Sequence, residues 1–163
     1  MFKKCLIMAG LLVIALTLNT APATAQNKPI QVALFNPLQI FPEDATIGGV
    51  RLNLIYGKNA WVSGVDFGLV NHTTTGLTKG WQFGLVGIAD KDFMGFQNNA
   101  VNVVNGNIEG VQWGFVNYAH YTNGLQFGFV NYSASMKGVQ VGLVNIIGQG
   151  GQFPIFPFVN WSF

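Results

Sequence analysis

A single cysteine, Cys5, is all the thiol this 163-residue chain carries. It lies at the extreme N-terminus, so disulfides and thiolate metal sites are excluded downstream. Charge is nearly as scarce. Asp, Glu, Lys and Arg make up 9% of the residues, against roughly 25% in ordinary soluble domains. No clustered basic face exists, which excludes nucleic acid as a partner. Nucleophile motifs such as Gly-x-Ser-x-Gly are missing. Beyond residue 25 no apolar 3.6-residue period runs long enough to make a helix. So little charge suits a surface that faces something other than water, or a chain spent almost wholly in sheet.

The chain begins with a pattern that predicts export. Lys3 and Lys4 supply a positive start, Leu6 to Leu18 an apolar stretch, and Ala23-Thr24-Ala25 a small-residue cleavage site. The stretch is too short for a spanning helix, which needs about 20 apolar residues. Residues 1–25 are therefore expected to be a signal peptide, with Gln26 opening the mature chain. From there the basic residues (Lys28, Arg51, Lys58, Lys79, Lys91, Lys137) and the acidic ones (Glu43, Asp44, Asp66, Asp90, Asp92, Glu109) balance to zero.

Against these absences stands one abundant feature, an eight-residue phrase that recurs. Its clearest copies are Gly110-Val111-Gln112-Trp113-Gly114-Phe115-Val116-Asn117, Gly124 to Asn131 and Gly138 to Asn145. Starts fall at Gly49, Gly64, Gly80, Gly95, Gly110, Gly124, Gly138 and Phe153, about fifteen residues apart, as in a repeat architecture. A degenerate ninth copy runs from Pro29 to Asn36, before a linker from Phe41 to Gly48. The expected organisation is an N-terminal strand and linker over 26–48, continuous with an eight-copy repeat domain over 49–163.

Within each phrase, residues alternate with the period of a strand. One face collects Phe67, Phe83, Trp113, Phe115, Phe127 and Phe129. The other collects Gln82, Gln97, Gln112, Gln126 and Gln140, with glycines and with Val86, Val116 and Val130. Polar runs such as Asp90-Lys91-Asp92 and Ser133-Ala134-Ser135 supply one evident turn per repeat. One reversal per strand suffices for antiparallel neighbours. The leg Tyr132 to Lys137 reads as too short and too hydrophilic for a second core strand. The favoured fold is thus all-β, a closed up-and-down antiparallel barrel of eight or nine single-strand repeats. The alternative is a parallel β-solenoid, in which Asn71, Asn102, Asn117, Asn131, Asn145 and Asn160 would form a ladder.

In the barrel, an outward aromatic face would meet lipid and the glutamines would line the lumen. The ending Val159-Asn160-Trp161-Ser162-Phe163 argues the other way. Its apolar residues share parity with the glutamine face, which would turn the aromatic rows inward as an apolar core or ligand channel. The sequence leaves both orientations open.

The Gly-(Val/Leu)-Gln-x-Gly-(Leu/Phe)-Val-Asn phrases resemble a bacterial surface-repeat family of spirochaete and Bacteroidetes envelopes. So do Ala33 to Gln39, Arg51 to Gly57 and Phe156 to Trp161. The resemblance covers nearly all of the chain after the leader. It implies an exported outer-membrane or surface protein and brings no catalytic residues. The copy at Gly95 departs from it, with Asn98-Asn99 in place of an aromatic and a glycine.

Candidate chemistry is sparse. His72 and His120 read as polar turn residues, because no metal or acid–base set accompanies them. Asp90 and Asp92 read as turn residues, lacking the further ligands of a calcium loop. Asp66 stands at a glutamine position and is expected to pair structurally with Arg51, one repeat earlier. Gly148-Gln149-Gly150-Gly151 precedes no helix and lacks the lysine of a phosphate loop. No catalytic residue, metal or cofactor is expected. Membrane lipid is the expected partner, at the outer membrane or cell surface. The alternative is an exported, periplasmic binding module holding a lipid or small apolar molecule on inward aromatic rows.

Overall fold

Backbone pairing settles the choice between barrel and solenoid. The computed structural model describes residues 27–163, so the signal-peptide expectation for residues 1–25 lies outside the described residues. Nine strands form one sheet: β1 (Lys28–Phe35), β2 (Leu38–Gln39), β3 (Thr46–Asn59), β4 (Trp61–Thr73), β5 (Thr78–Ala89), β6 (Phe93–Trp113), β7 (Val116–Phe127), β8 (Val130–Gln149) and β9 (Ile155–Ser162). The sheet order is β2-β1-β3-β4-β5-β6-β7-β8-β9, and β1 pairs with β3, as does every neighbour through to β8, in parallel. The fold is a β-solenoid of about eight turns, and the expected antiparallel barrel is wrong.

Each coil stacks on the last in register with the phrase. Gly110 lies beside Gly124, Gln112 beside Gln126, and Asn117 beside Asn131. The Pro29 copy is a true coil, since Ile30 and Gln31 lie beside Val50 and Arg51. The final copy is not. β9 runs antiparallel to β8 and sets Asn160 opposite Gln140, not beside Asn145. That reversal explains the conflicting parity of the chain's end: Val159 and Trp161 sit beside Val141 and Val139 on the outside.

The barrel expectation failed because a second bend per repeat, at Gly114-Phe115 and Gly128-Phe129, lies inside the phrase and was counted as strand. Simple alternation would put Asn117 on the same face as Trp113 and Phe115. Instead Phe115 and Val116 both point outward, Asn117 points in, and the chain has turned a corner. Val116 and Val130 are exposed and Val86 is half-buried, so none of the three shares the buried glutamine face as expected. The leading glycines have positive φ within the strands. Gly124 has φ of 140°, and a Cβ there would overlap the carbonyl oxygen of Gly110 one coil below. Glycine escapes both the dihedral penalty and the clash, and the same column runs from Gly49 to Gly138.

The supposed hydrophilic return leg is also part of the wall. Ser133 and Met136 point inward and are buried. Ser133 is satisfied by the Thr122 hydroxyl of the previous coil at 3.0 Å. Beside that leg the interior is an apolar strip containing Ala89, Phe93, Val104, Ile108 and Ala119.

Candidate functional site

The predicted polar lining is a sealed ladder. Gln82, Gln97, Gln112, Gln126 and Gln140 are all buried, stacked directly over one another. Each donates from Nε2 to the Oε1 of the glutamine one coil earlier: Gln97 to Gln82 at 2.9 Å, Gln112 to Gln97 at 3.0 Å, Gln126 to Gln112 and Gln140 to Gln126 at 2.7 Å. The column ends on a charge, as Gln82 donates to Asp66 Oδ2 at 2.8 Å. A side-chain amide carries both donors and an acceptor, so identical residues can continue such a chain indefinitely.

Beneath Gln82 lies the pair expected from sequence. Arg51 grips Asp66 with two bonds of 2.7 Å, Nε to Oδ1 and Nη2 to Oδ2. Arg51 Nη1 also donates to the His72 carbonyl at 2.9 Å. Both side chains are almost wholly out of water. A buried pair of this kind persists when further hydrogen bonds support it, here from Arg51 Nη1 to Asn59 and His72 and from Asn53 and Gln82 to Asp66.

A second ladder runs the opposite way. Asn102 donates to Asn117, Asn117 to Asn131 and Asn131 to Asn145, each at 2.8 Å. The same amides reach the corner carbonyls of the next coil: Asn102 to Trp113, Asn117 to Phe127 and Asn131 to Val141, each at 3.0 Å. The corner turns its backbone acceptors toward the interior, and the preceding coil's asparagine satisfies them. Asn71 and Asn145 belong to this column, while Asn160 does not and bonds Phe153 at 2.8 Å.

The aromatic rows face outward, contrary to the inward arrangement considered for a ligand channel. Phe67, Trp113, Phe115, Phe127 and Phe129 are exposed, and Phe83 is half-buried. They stack from coil to coil: Trp113 on Phe127 at 4.8 Å between centroids and Phe115 on Phe129 at 5.2 Å. Leu52, Leu54, Leu69, Leu85 and Leu143 extend the same columns. With coils about 4.8 Å apart and residues about 3.4 Å apart, the face from Val50 to Leu143 covers on the order of 500 Å². The adjoining leg continues it with Val116, Tyr118 and Val130. Large contiguous patches of this sort mark interaction surfaces.

Further polar contacts join the coils along the adjoining leg and at the turn after it. Asp92 accepts from the Asn107 backbone N–H at 2.7 Å and Asp90 from the Asn105 side chain at 3.3 Å, so both carboxylates tie the β5–β6 turn to β6 one coil on. His72 sits between Tyr56 and Asp90, with Nδ1 2.9 Å from the phenol oxygen and Nε2 2.9 Å from Oδ2. Burial pushes the Tyr56 phenol up from its ordinary value. Sequence reasoning missed this chain because its members come together only through parallel stacking across three coils. His120 is exposed and lies within β7, not in a turn as expected. No group of three metal-ligating side chains occurs among the described residues.

Comparison with known proteins finds no match, whether among family models, curated proteins or solved structures.

Proposed function

We propose that this is an exported, non-enzymatic envelope protein that rests on lipid at the outer membrane or cell surface through its aromatic face. The observation that carries the reading is the broad outward apolar face on a solenoid whose glutamine and asparagine columns are turned inward. Hydrocarbon tolerates only backbone whose N–H and C=O groups are paired internally. Along a solenoid wall each coil is paired with the coils above and below, so the sides can meet acyl chains without orphaned groups. The axis would lie in the membrane plane, and the polar turns would face water, as in an amphipathic helix at larger scale.

The distribution of aromatic types supports this depth profile. Phe67, Phe115, Phe127 and Phe129 occupy the apolar columns. Tyr118 and Tyr132 share a column on the adjoining leg, nearer the polar turns, and Tyr121 lies beyond them. Rings with a polar tip collect at membrane–water interfaces. On the opposite border, the exposed side chains of Lys79, Glu109 and Lys137 flank the leading glycines.

Flotation of the purified chain with phosphatidylcholine vesicles tests the reading. The chain should float and resist an alkaline wash, and Phe115→Asp with Phe129→Asp should return it to the soluble fraction while its β-sheet circular dichroism persists. A wild-type chain that stays in the soluble fraction would overturn it.

A further inference from the structure

The dipeptide Asn-Gly occurs at Asn105-Gly106 and again at Asn123-Gly124. Both asparagines are exposed, but the backbone around them differs. Asn123 and Gly124 are paired on both sides, with Glu109 and Gly110 of the previous coil and with Lys137 and Gly138 of the next. Asn105 and Gly106 have a strand partner on neither side. The β5–β6 register ends with Ala89 beside Val104, and the β6–β7 register skips from Val104 beside Ala119 to Asn107 beside Tyr121. Two residues of β6 thus oppose the single His120 of β7, which makes a β-bulge. Packing dictates the glycine of this bulge, because a Cβ at Gly106 would run into Asp92 Oδ1 and the Lys91 backbone.

We propose that Asn105 is a modification site, at which the chain converts its own side-chain amide to a carboxylate. The Gly106 nitrogen gives up its proton and bonds to Asn105 Cγ. The side-chain nitrogen takes up a proton and leaves as ammonia, which closes a five-membered imide. Water opens that ring at either carbonyl, leaving aspartate or isoaspartate at position 105. Nothing is oxidised or reduced. Glycine has no Cβ to shield the attacking nitrogen. At the bulge that nitrogen can swing onto Cγ without parting a paired ladder, whereas at Gly124 the same motion would strip pairing from two coils at once. The Asn105 side chain is held by a long bond to Asp90, 3.3 Å. The product sets a second carboxylate beside Asp90, which already contacts His72 at 2.9 Å. The isoaspartyl form also lengthens the main chain at a corner whose flanks are locked in register.

The test ages the full chain in mildly alkaline buffer, then digests it and reads both dipeptides by mass spectrometry. In the folded chain Asn105 should convert roughly tenfold or more faster than Asn123, which must wait for local opening. In urea the two rates should converge. Asn105→Gln keeps the amide but would have to close a six-membered ring, so it should lose most of the ammonia release. No conversion at Asn105, equal rates at the two sites in the folded chain, or an Asn105 preference that persists in urea would overturn the proposal.

Discussion

The two halves of the solenoid solve the same interior problem with different side chains. From Gly110 to Asn145 the columns are uniform: glutamine on glutamine, asparagine on asparagine, glycine on glycine. From Gly49 to Asn102 they are irregular. Arg51 and Asp66 replace two glutamines, and Gly57 and Gly87 stand where ladder asparagines belong. In both of those places the missing amide is returned from an inner glycine position. Asn53 occupies the space beside Gly57 and donates to Asn71 at 2.7 Å. Asn99 fills the space beside Gly87 and donates to Asn102 at 2.7 Å and Gln82 at 3.2 Å. The comparison teaches that the interior conserves hydrogen-bond continuity, not residue identity at a given position.

The largest expected effect comes from breaking the ionic substitute. Asp66→Ala leaves Arg51 charged and unpaired in the interior and should destabilise by about 3–5 kcal/mol. Converting both residues to glutamine restores the chemistry of the regular half and should recover most of that loss. Urea unfolding followed by circular dichroism measures both. A double variant as unstable as Asp66→Ala would show that the halves are not interchangeable.

A smaller effect attends the relocated amide. Gly87→Asn alone places a side chain where the Asn99 amide lies, and Asn99→Gly alone leaves Gln82 and Asn102 short of a donor. Each should destabilise by about 1–3 kcal/mol. Together they rebuild the regular pattern, so the double-mutant cycle should show a favourable coupling of about 1–2 kcal/mol. Additive losses would contradict the continuity rule.

The smallest effect concerns the ends. At the N-terminal cap, Glu43 accepts from Asn36 at 2.8 Å and pairs with Lys58 at 3.1 Å. The hydrogen bond from Asn36, then the Lys58 ammonium, hold its carboxyl below the ordinary range. Its stabilising contribution is therefore present above the ordinary glutamate pKa, about 4.3, and fades as pH falls through the lower folded value. Because the group is exposed, the change should be slight, and Glu43→Gln should flatten it in acid titrations of stability. The C-terminal cap should show no such dependence, since β9 presents Ile155, Phe156 and Phe158 instead.

Much of this organisation was legible in the chain itself. The repeat gave the coil length and the columns, and Asp66 at a glutamine position gave its pairing with Arg51. The corner at Phe115-Val116 was not legible, because its glycine, Gly114, sits in strand-like alternation and part of its support is non-local: the Asn102 amide of the previous coil bonds the Trp113 carbonyl. Turn reasoning looks for Pro, Gly, Asn or Asp within the turn, and here the supporting asparagine comes from the neighbouring coil. Ser133 and Thr122 misled for a related reason, since their hydroxyls satisfy each other across coils. The Asn98 and Ala100 departure was visible as lost symmetry, but that it interrupts an exposed face required the outward direction of the rings.

The outward face is the centre of the account, and depth in a bilayer tests it most directly. With Cys5 replaced by serine, single cysteines at Phe129, Tyr132 and Lys137 can carry spin labels on vesicle-bound protein. Accessibility to lipid-soluble oxygen should be greatest at 129, intermediate at 132 and least at 137, with access to a water-soluble nickel reagent in the reverse order. Equal exposure of all three to the nickel reagent would contradict the account.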